Sequence, residues 1–234
     1  MDKYRLGIIC AMKNEAQLLL EQMTEIQVEN VQGSDYYTGY IDGTSVVLSI
    51  CGIGKVAAAM CAQTMVLLFD PDYIINSGVA GALSTKLNIY DIVVSDSFVQ
   101  HDMDTSPLGD PKGMISGINM TYLPSDKTIE ETIYNVSVSL GKNTIKGIMA
   151  SGDVFVSGRD NKLKINEEFN AVSCDMESAS IAQVCYIAKK RFCAIRCISD
   201  CVNGDSGIEY AIFVEDAAKT VSNILINFIK TYFK

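Results

Sequence analysis

Short apolar runs alternate along this chain with longer segments in which apolar residues recur every three or four positions. The short runs, rich in Ile, Val, Phe and Cys, predict buried strands, and the longer segments predict helices. Strands are expected at 5–12, 45–50, 73–77, 90–96, 146–150 and 192–198. Helices are expected at 15–23, 56–69, 128–140, 178–188 and 209–232. This alternation favours an α/β fold in a single domain over residues 1–234, with a central mixed, mostly parallel β-sheet flanked by helices.

A guanidinium interrupts the apolar strand predicted at 192–198. Arg196 needs a carboxylate partner there, because burying an unpaired charge costs several kcal/mol. Asp200 shares the strand parity of Arg196, but at about 3.3 Å per residue it lies roughly 13 Å away. We therefore expect the partner of Arg196 to come from another segment. Ser199 and Asp200 end the strand, which is where ligands bind in open α/β sheets.

Several earlier junctions between a strand and a helix carry polar or small residues. Asn14 is a natural N-cap for the first helix. Glu15 then either stabilises the helix dipole or holds a carboxylate where a water could react. The glycine pattern at 52–55 lacks the spacing of a phosphate-binding loop, so a tight strand-to-helix turn is expected. Residues 78–81 are either a plain turn or small residues that let a ligand approach the backbone.

Two later segments have equally open interpretations. The loop at 101–111 contains two prolines and a glycine and is a candidate lid or subunit contact, and a lone histidine such as His101 is more often a structural hydrogen-bonding residue than a catalyst. Asp175 and Glu177 come just before the helix at 178–188, where simple capping would explain both.

Composition narrows the classes of partner and compartment. The formal charge of −9 argues against a nucleic-acid partner, because phosphate binding needs a clustered positive surface. The apolar segment 56–69 is too short to span a bilayer, and the start Met-Asp-Lys-Tyr-Arg lacks the pattern of a secretory signal. The 8 cysteines include no Cys-x-x-Cys pair and accompany a single histidine. Free buried thiols in a reducing cytoplasm are therefore expected rather than a disulfide framework or a zinc site.

Seven motifs in one order and spacing carry a resemblance along almost the whole chain. They are Ala11-Met-x-x-Glu15, Ser49-x-Cys-Gly-Ile-Gly-Lys-Val56, Ile75-Asn-Ser-Gly-Val-Ala-Gly81, Asp91-Ile-Val-Val-Ser-Asp96, Ser151-Gly-Asp153 with Phe155, Asp175-Met-Glu177 and Arg196-x-Ile-Ser-Asp200. The chain resembles the 5′-methylthioadenosine/S-adenosylhomocysteine nucleosidases of the nucleoside phosphorylase superfamily. The resemblance implies hydrolysis of the bond between adenine N9 and ribose C1′, with no metal or cofactor, in methionine salvage and the recycling of S-adenosylmethionine by-products.

The resemblance also implies four catalytic roles. Asp200 matches the general acid that protonates adenine N7, and Ser199 matches the hydroxyl that supports this acid. Glu15 matches the base that activates the attacking water. Arg196 matches the guanidinium that positions this water, which makes the Glu15 site the expected partner of the buried charge.

Further positions match residues that bind the adenosyl thioether substrate. The resemblance places Glu177 and Met176 on the ribose, Phe155 and Val156 on adenine, Ala80 and Gly81 beside the base, Val79 near the water, and Met12 and Tyr210 around the alkylthio tail. Thr105 and Leu108 match residues that each subunit of a homodimer lends to its partner.

Three substitutions relative to the common family pattern bear on substrate choice. Val79 stands where many members carry serine, so its side chain offers no hydrogen bond to the water. Leu108 and Tyr210 each replace a phenylalanine. The preference among methylthioadenosine, S-adenosylhomocysteine and 5′-deoxyadenosine therefore stays open.

Two other functions compete with hydrolysis. A nucleoside phosphorylase of the same fold would need guanidinium groups around its phosphate, and only 4 arginines occur, Arg5, Arg159, Arg191 and Arg196. A nucleoside-binding protein without turnover would not need both Glu15 and Asp200. The hydrolase is the favoured hypothesis.

Overall fold

Ten strands form one sheet in the computed structural model, which describes residues 4–233. The strands are β1 (Leu6–Cys10), β2 (Thr24–Val31), β3 (Ser34–Ile41), β4 (Thr44–Ile50), β5 (Tyr73–Ala82), β6 (Ile92–Gln100), β7 (Leu123–Pro124), β8 (Thr144–Ser151), β9 (Ala171–Asp175) and β10 (Arg191–Asp200). The α-helices are α1 (Lys13–Gln22), α2 (Lys55–Leu68), α3 (Lys127–Ser139), α4 (Arg159–Phe169), α5 (Ser178–Ile187) and α6 (Ser206–Tyr232). None of these helices is long and apolar enough to cross a membrane.

Part of the sheet closes into a barrel. Strand β10 pairs with both β5 and β6, and the ring β5-β10-β6-β8-β9 returns to β5. From β5 the sheet continues outward through β1, β4, β3 and β2. The predicted α/β class and mixed sheet are confirmed, but the sheet is not mostly parallel. Among residues 4–233, the antiparallel pairings β2–β3, β3–β4, β5–β9, β6–β7 and β6–β10 equal the parallel ones in number.

Two tight hairpins account for much of the antiparallel character. The turns Gln32-Gly33 and Asp42-Gly43 have positive φ at both central residues, which matches the twist of the strands that they join. Strands β2 and β3 were not predicted. The Asp42-Gly43 pair was the signal present in the sequence, because this dipeptide favours two-residue hairpin turns.

Strand β10 shows how the two layers of the core are filled. Cys193, Ile195 and Cys197 pack into the cluster that contains the buried side of α6. Phe192 and Ala194 face the opposite cluster, which contains α2 and α5. Apolar side chains alternate between two buried faces, so residues 192–198 form an apolar run in the sequence that only Arg196 interrupts.

The carboxyl end of β5 differs from the prediction. Residues 78–81, for which a turn was one alternative, continue the strand to Ala82 and pair with β10. The pairing shifts by one residue between Ile198 and Asp200 of β10, which is a β-bulge beside the end of the strand. The backbone of β5 therefore runs directly past the polar residues that end β10.

Candidate active site

A cavity that is open to solvent on one side lies at the carboxyl ends of β1, β5, β9 and β10. The lining contains most of the predicted site residues, namely Met12, Glu15, Val79, Ala80, Gly81, Phe155, Val156, Met176, Glu177, Ser199, Asp200 and Tyr210. It also contains residues that were not predicted as lining, namely Ala11, Ile53, Val154, Cys174 and Asp175.

Arg196 lies behind the cavity and pairs with Asp175 of β9. The Asp175 Oδ2 atom accepts hydrogen bonds from Arg196 Nε at 3.0 Å and is 2.9 Å from Arg196 Nη2. Arg196 Nη2 also donates to Asn76 Oδ1 on β5. A partner from another segment was correctly expected, but the assignment of that partner to the Glu15 site was wrong. Asp175 ends β9, and its carboxylate lies next to the Arg196 guanidinium.

Asp175 also caps helix α5 with its other oxygen. Its Oδ1 atom accepts the backbone N–H groups of Glu177 and Ser178, each at 3.1 Å. The Arg196 charge and these hydrogen bonds outweigh burial and hold the pKa of Asp175 below its usual value. Capping therefore explains Asp175 but not Glu177, whose side chain makes no cap hydrogen bond at this helix start.

Glu177 instead turns into the cavity. Its Oε1 atom accepts the backbone N–H of Gly54 at 3.0 Å, at the tight turn that was predicted before α2. The side chain is only 6% exposed, and burial together with the nearby Asp175 charge raises the pKa of Glu177 to about 7. A carboxylate that is costly to ionise gains when a positive charge forms beside it.

Glu15 is held by three backbone amides. Its Oε2 atom accepts from Ala11 and Met12 at 2.9 Å, and its Oε1 atom accepts from Val79 at 3.0 Å. The Glu15 carboxylate therefore binds amides next to the start of α1 and also faces the cavity. Burial raises the pKa of Glu15, although the Arg196 charge and these hydrogen bonds oppose the shift. The raised pKa makes this carboxylate a stronger base than an exposed one.

The expected N-cap at Asn14 was wrong. Helix α1 starts at Lys13 with Met12 in the N-cap position, so Asn14 lies within the first turn. The Glu15 carboxylate already binds the amides of Ala11 and Met12, which leaves no such role for an asparagine side chain.

Asp200 sits at the opposite end of the cavity from the Glu15 amides. Ser199 Oγ lies within hydrogen-bonding distance of Asp200 Oδ1 at 3.1 Å and of the Ala80 carbonyl at 3.3 Å. Lys162 Nζ contacts Asp200 Oδ2 at 2.5 Å, in an ion pair that no sequence argument predicted. The segment that forms α4 is polar and has a weak apolar pattern, so neither this helix nor its buried lysine stood out.

Aromatic and thioether side chains form the apolar part of the wall. Phe155 and Tyr210 meet edge to face with ring centroids 5.6 Å apart, and Tyr210 Oη lies 3.1 Å from Met12 Sδ. Phe155 is 47% exposed and stands at the cavity mouth, whereas Val156 is buried. This part of the wall offers a flat ring and soft apolar surface to a ligand.

Thr105 and Leu108 do not line the cavity of this chain. They lie in the loop predicted at 101–111, which contains a short 3₁₀ helix at Ser106–Leu108. Leu108 is 83% exposed, so it is free to contact another molecule. His101 is buried at the base of this loop, and burial lowers its pKa, which favours the neutral form.

The charged groups of the site are arranged in pairs rather than as a metal cage. No group of three or more His, Cys, Asp or Glu side chains with a geometry suited to a metal ion occurs within residues 4–233. The cavity carboxylates instead accept hydrogen bonds from backbone amides, from the Arg196 guanidinium and from the Lys162 ammonium.

The fold and the site place this chain in a known class of nucleoside-processing proteins. Residues 5–230 match the profile of the Phosphorylase superfamily. The curated 5′-methylthioadenosine/S-adenosylhomocysteine nucleosidases of Staphylococcus carnosus and Glaesserella parasuis are each 34% identical over 229 residues, which cover 97% of this chain and 99% of each relative. The chain belongs to this nucleosidase family of the Phosphorylase superfamily, as its motifs indicated.

Solved structures show the same similarity. A nucleosidase of this family from S. pneumoniae, determined with a transition-state inhibitor, has a TM-score of 0.91 and 33% identity, covering 97% of this chain and 98% of that one. The futalosine hydrolase of Helicobacter pylori strain 26695 has a TM-score of 0.93 and 28% identity, covering 97% and 98%. Two named activities therefore occur on closely similar backbones.

Asp175→Asn should strongly destabilise the protein. The substitution keeps an oxygen for capping α5 but leaves the buried Arg196 charge without its partner, a change that costs about 3–5 kcal/mol. Chemical denaturation would measure this loss. Lys219→Ala is the matched control, because its pair with Asp216 is long at 3.8 Å and largely exposed, so less than ~1 kcal/mol should change. Equal effects of the two variants would contradict the assigned role of Asp175.

Glu177→Gln should stabilise the protein at pH 8 but not at pH 5. A raised folded-state pKa favours folding below the unfolded value, and this contribution is lost as pH rises through about 7. Removing the charge should therefore recover up to roughly 3 kcal/mol at pH 8. Thermal unfolding at both pH values measures the difference, with the exposed Glu167→Gln as control. A pH-independent change would show that ionised Glu177 carries no such cost.

Proposed function

We propose that this chain hydrolyses the N-glycosidic bond of 5′-methylthioadenosine and S-adenosylhomocysteine to release adenine. The observation that carries the proposal is the placement of two buried carboxylates against one strand of the cavity. Glu15 lies against Gly78 and Asp200 lies against Gly81. These contact points are three residues apart on β5, so they are separated by about 10 Å at ~3.3 Å per residue. A carboxyl pair spaced widely enough to admit a water suits direct hydrolysis with one acid and one base.

Glu15 is the proposed base that activates water. Its two oxygens are fixed by the amides of Ala11, Met12 and Val79, so the carboxylate is oriented before a substrate binds. The raised pKa favours proton uptake from a water as this water attacks C1′. Arg196, which stays bound to Asp175 and Asn76 behind the cavity, would act on the water through its charge on Glu15. The Val79 side chain offers no hydrogen bond to it, in contrast to a serine.

Glu177 and Met176 are the proposed ribose contacts. The Glu177 carboxylate would accept hydrogen bonds from the ribose hydroxyls and lie near the positive charge that develops as adenine leaves. Its oxygen is already oriented by the Gly54 amide, which reduces the reorganisation needed in the transition state. Met176 lines the same wall beside it.

Asp200 is the proposed acid for adenine N7, supported by Ser199. The ring of Phe155 would stack on adenine, while the backbone of Val156 and the backbone of Ala80 and Gly81 would approach its edges. Adenine is a poor leaving group as an anion, so protonation at N7 lowers the barrier to its departure. Lys162 Nζ contacts the Oδ2 atom of this same acid.

Water is favoured over phosphate as the nucleophile. Among residues 4–233, no arginine or lysine side chain lines the cavity. A phosphate would need cationic groups in direct contact, and Arg196 is already occupied by Asp175 and Asn76. A protein that only binds nucleosides would not need two carboxylates in different environments, so this alternative is less favoured than hydrolysis.

The tail of the substrate would lie against Met12 and Tyr210. These side chains contact each other, and Ile53 extends the apolar wall to the mouth. A futalosine-type nucleoside is the second candidate substrate, and the similarity to the H. pylori futalosine hydrolase supports its inclusion. We propose 5′-methylthioadenosine, S-adenosylhomocysteine and 5′-deoxyadenosine as the first compounds to compare with it.

The proposed assembly is a homodimer through α2, α5 and the loop at 101–111. Val56 and Met60 on α2 are 71% and 56% exposed, and Ile187 at the end of α5 is 61% exposed. Lys55 Nζ contacts Asp102 Oδ1 at 2.6 Å and places this loop beside the start of α2. A second copy would cover this apolar face and bring Thr105 and Leu108 to the neighbouring cavity.

We also infer that residues 1–234 form a single domain in a cytoplasmic enzyme. The continuous sheet supports one domain. All eight cysteines lie within residues 4–233 and are free, which suits a reducing compartment.

Adenine release should occur from 5′-methylthioadenosine in phosphate-free buffer, at an unchanged rate with millimolar phosphate and with free methylthioribose as product. Asp200→Asn and Glu15→Gln should each lose at least ~10²-fold in turnover while retaining substrate binding. Glu21→Gln, on the exposed side of α1, is the matched control. Faster release of the purine base from futalosine than of adenine from the adenosyl thioethers would favour the second candidate. A sugar 1-phosphate product would contradict hydrolysis.

Light scattering should give twice the chain mass of 25.5 kDa for the wild type. Met60→Asp should shift the protein to the monomer, because it places a charge in the proposed apolar interface. Val138→Asp on α3 is the matched control, since Val138 is 47% exposed on a different helix. A monomeric wild type with full activity would remove the role proposed for Thr105 and Leu108.

A further inference from the structure

Lys162 is a completely buried lysine, with 0% of its surface exposed. Its Nζ atom contacts Asp200 Oδ2 at 2.5 Å and the Cys201 carbonyl at 2.8 Å. The neighbouring Lys164 on the same helix is exposed. Lysine is almost never fully buried unless it is paired, so the position of Lys162 calls for a specific explanation.

Stability alone is a poor explanation for this ion pair. Removing two charges from water costs several kcal/mol per ion, and a pair of apolar residues is often neutral or stabilising in its place. The Cys201 carbonyl could be satisfied by a neutral donor. The ammonium group adds a proton that can be transferred to Asp200, at the end of the cavity assigned to the leaving base.

We propose that Lys162 is a positioning residue that stores the proton which Asp200 delivers to the departing adenine. This inference rests on the function proposed above. In the empty cavity the pair is Lys162 ammonium with Asp200 carboxylate. As the N9–C1′ bond breaks, its electron pair moves onto the purine and N7 becomes more basic. The Nζ proton moves to Asp200 Oδ2, a carboxyl proton moves to N7, and Lys162 is left as a neutral amine.

The proton balance closes over the whole reaction. The attacking water gives one proton to Glu15, and adenine N7 takes one proton from the Lys162–Asp200 pair. After adenine leaves, Glu15 releases its proton to solvent and the pair takes one up through the open cavity. Ser199, whose hydroxyl also contacts Asp200, keeps the carboxyl oriented during the exchange.

A stored ammonium proton predicts a particular pH dependence. An ammonium group keeps its proton to higher pH than a carboxyl does. Adenine release by the wild type should therefore persist at alkaline pH. In Lys162→Met, Asp200 has to acquire the proton from solvent, so activity relative to wild type should fall as pH rises and recover towards pH 5.5. Dividing the activity of Lys162→Met by that of the wild type at each pH removes the contribution of Glu15, because both proteins contain this base.

The leaving group gives a second, independent readout. A nitrophenyl 5-methylthioriboside releases a nitrophenolate that needs no proton. Its cleavage still requires Glu15, Arg196 and Glu177, but it does not require the proton of Asp200. Loss of the stored proton should therefore affect adenine substrates and spare the nitrophenyl substrate.

The experiment measures kcat for wild type, Lys162→Met, Lys162→Arg and the control Lys164→Met between pH 5.5 and 9 with both substrates. We expect Lys162→Met to lose about 10²-fold at pH 8.5 with 5′-methylthioadenosine and less than about 3-fold with the nitrophenyl substrate. Lys162→Arg should resemble it, because a guanidinium does not release its proton. Lys164→Met should match the wild type. Equal losses with both substrates at every pH would overturn the inference and assign Lys162 a structural role.

The wild type provides a test that does not depend on folding of a variant. If adenine release by the wild type declines steadily as pH rises from 5.5 to 9, as an acid without a stored proton would require, while nitrophenyl cleavage does not, the stored proton is refuted. Thermal unfolding of each variant at both ends of the pH range separates loss of fold from loss of proton transfer. A wild type that releases adenine under no condition refutes the proposed function itself, together with the role of Lys162.

Discussion

The buried ion pair between Arg196 and Asp175 is the interaction on which the site depends. It joins β10 to β9, and the hydrogen bond from Arg196 to Asn76 adds β5. The second oxygen of Asp175 holds the start of α5, which sets the position of Glu177. Burial would lower the pKa of Arg196, but the charges of Asp175, Glu177 and Glu15 together raise it. One guanidinium thus stabilises three carboxylates, only one of which it contacts directly.

The two ends of the cavity differ in charge, and this difference suits the proposed chemistry. Around Arg196, three carboxylates face one cation, so the surroundings are negative and favour a sugar that becomes an oxocarbenium ion. Around Asp200, one carboxylate faces the Lys162 ammonium, so the surroundings are neutral and hold a transferable proton. The end around Arg196 would be less suited to donating a proton to adenine, and the end around Asp200 would be less suited to stabilising an oxocarbenium ion. The separation of these charges matters as much as the identity of the residues.

Periodicity predicted the strands and helices that have strong apolar patterns, including β10 and α6. It missed the β2–β3 hairpin, where the residues of β2 are almost all exposed, and α4, where polar residues dominate. The need of Arg196 for a partner was predictable from the cost of a buried charge. The identity of Asp175 as that partner, and the burial of Lys162, depend on contacts between segments 21 and 38 residues apart in sequence. Local sequence patterns carry no information about such contacts.

The spacing of acid and base follows from the pairing of β5 with β10. Arg196 lies opposite Gly78 and Asp200 lies opposite Gly81, so four residue steps along β10 match three along β5 because of the bulge at Ser199. A Cβ at Gly78 would come within 2.4 Å of Glu15 Oε1, and one at Gly81 within 3.0 Å of Asp200 Oδ2. Glycine at both positions lets each carboxylate pack directly on the strand backbone. A rigid strand, rather than a mobile loop, therefore sets the distance across which water and leaving group are separated.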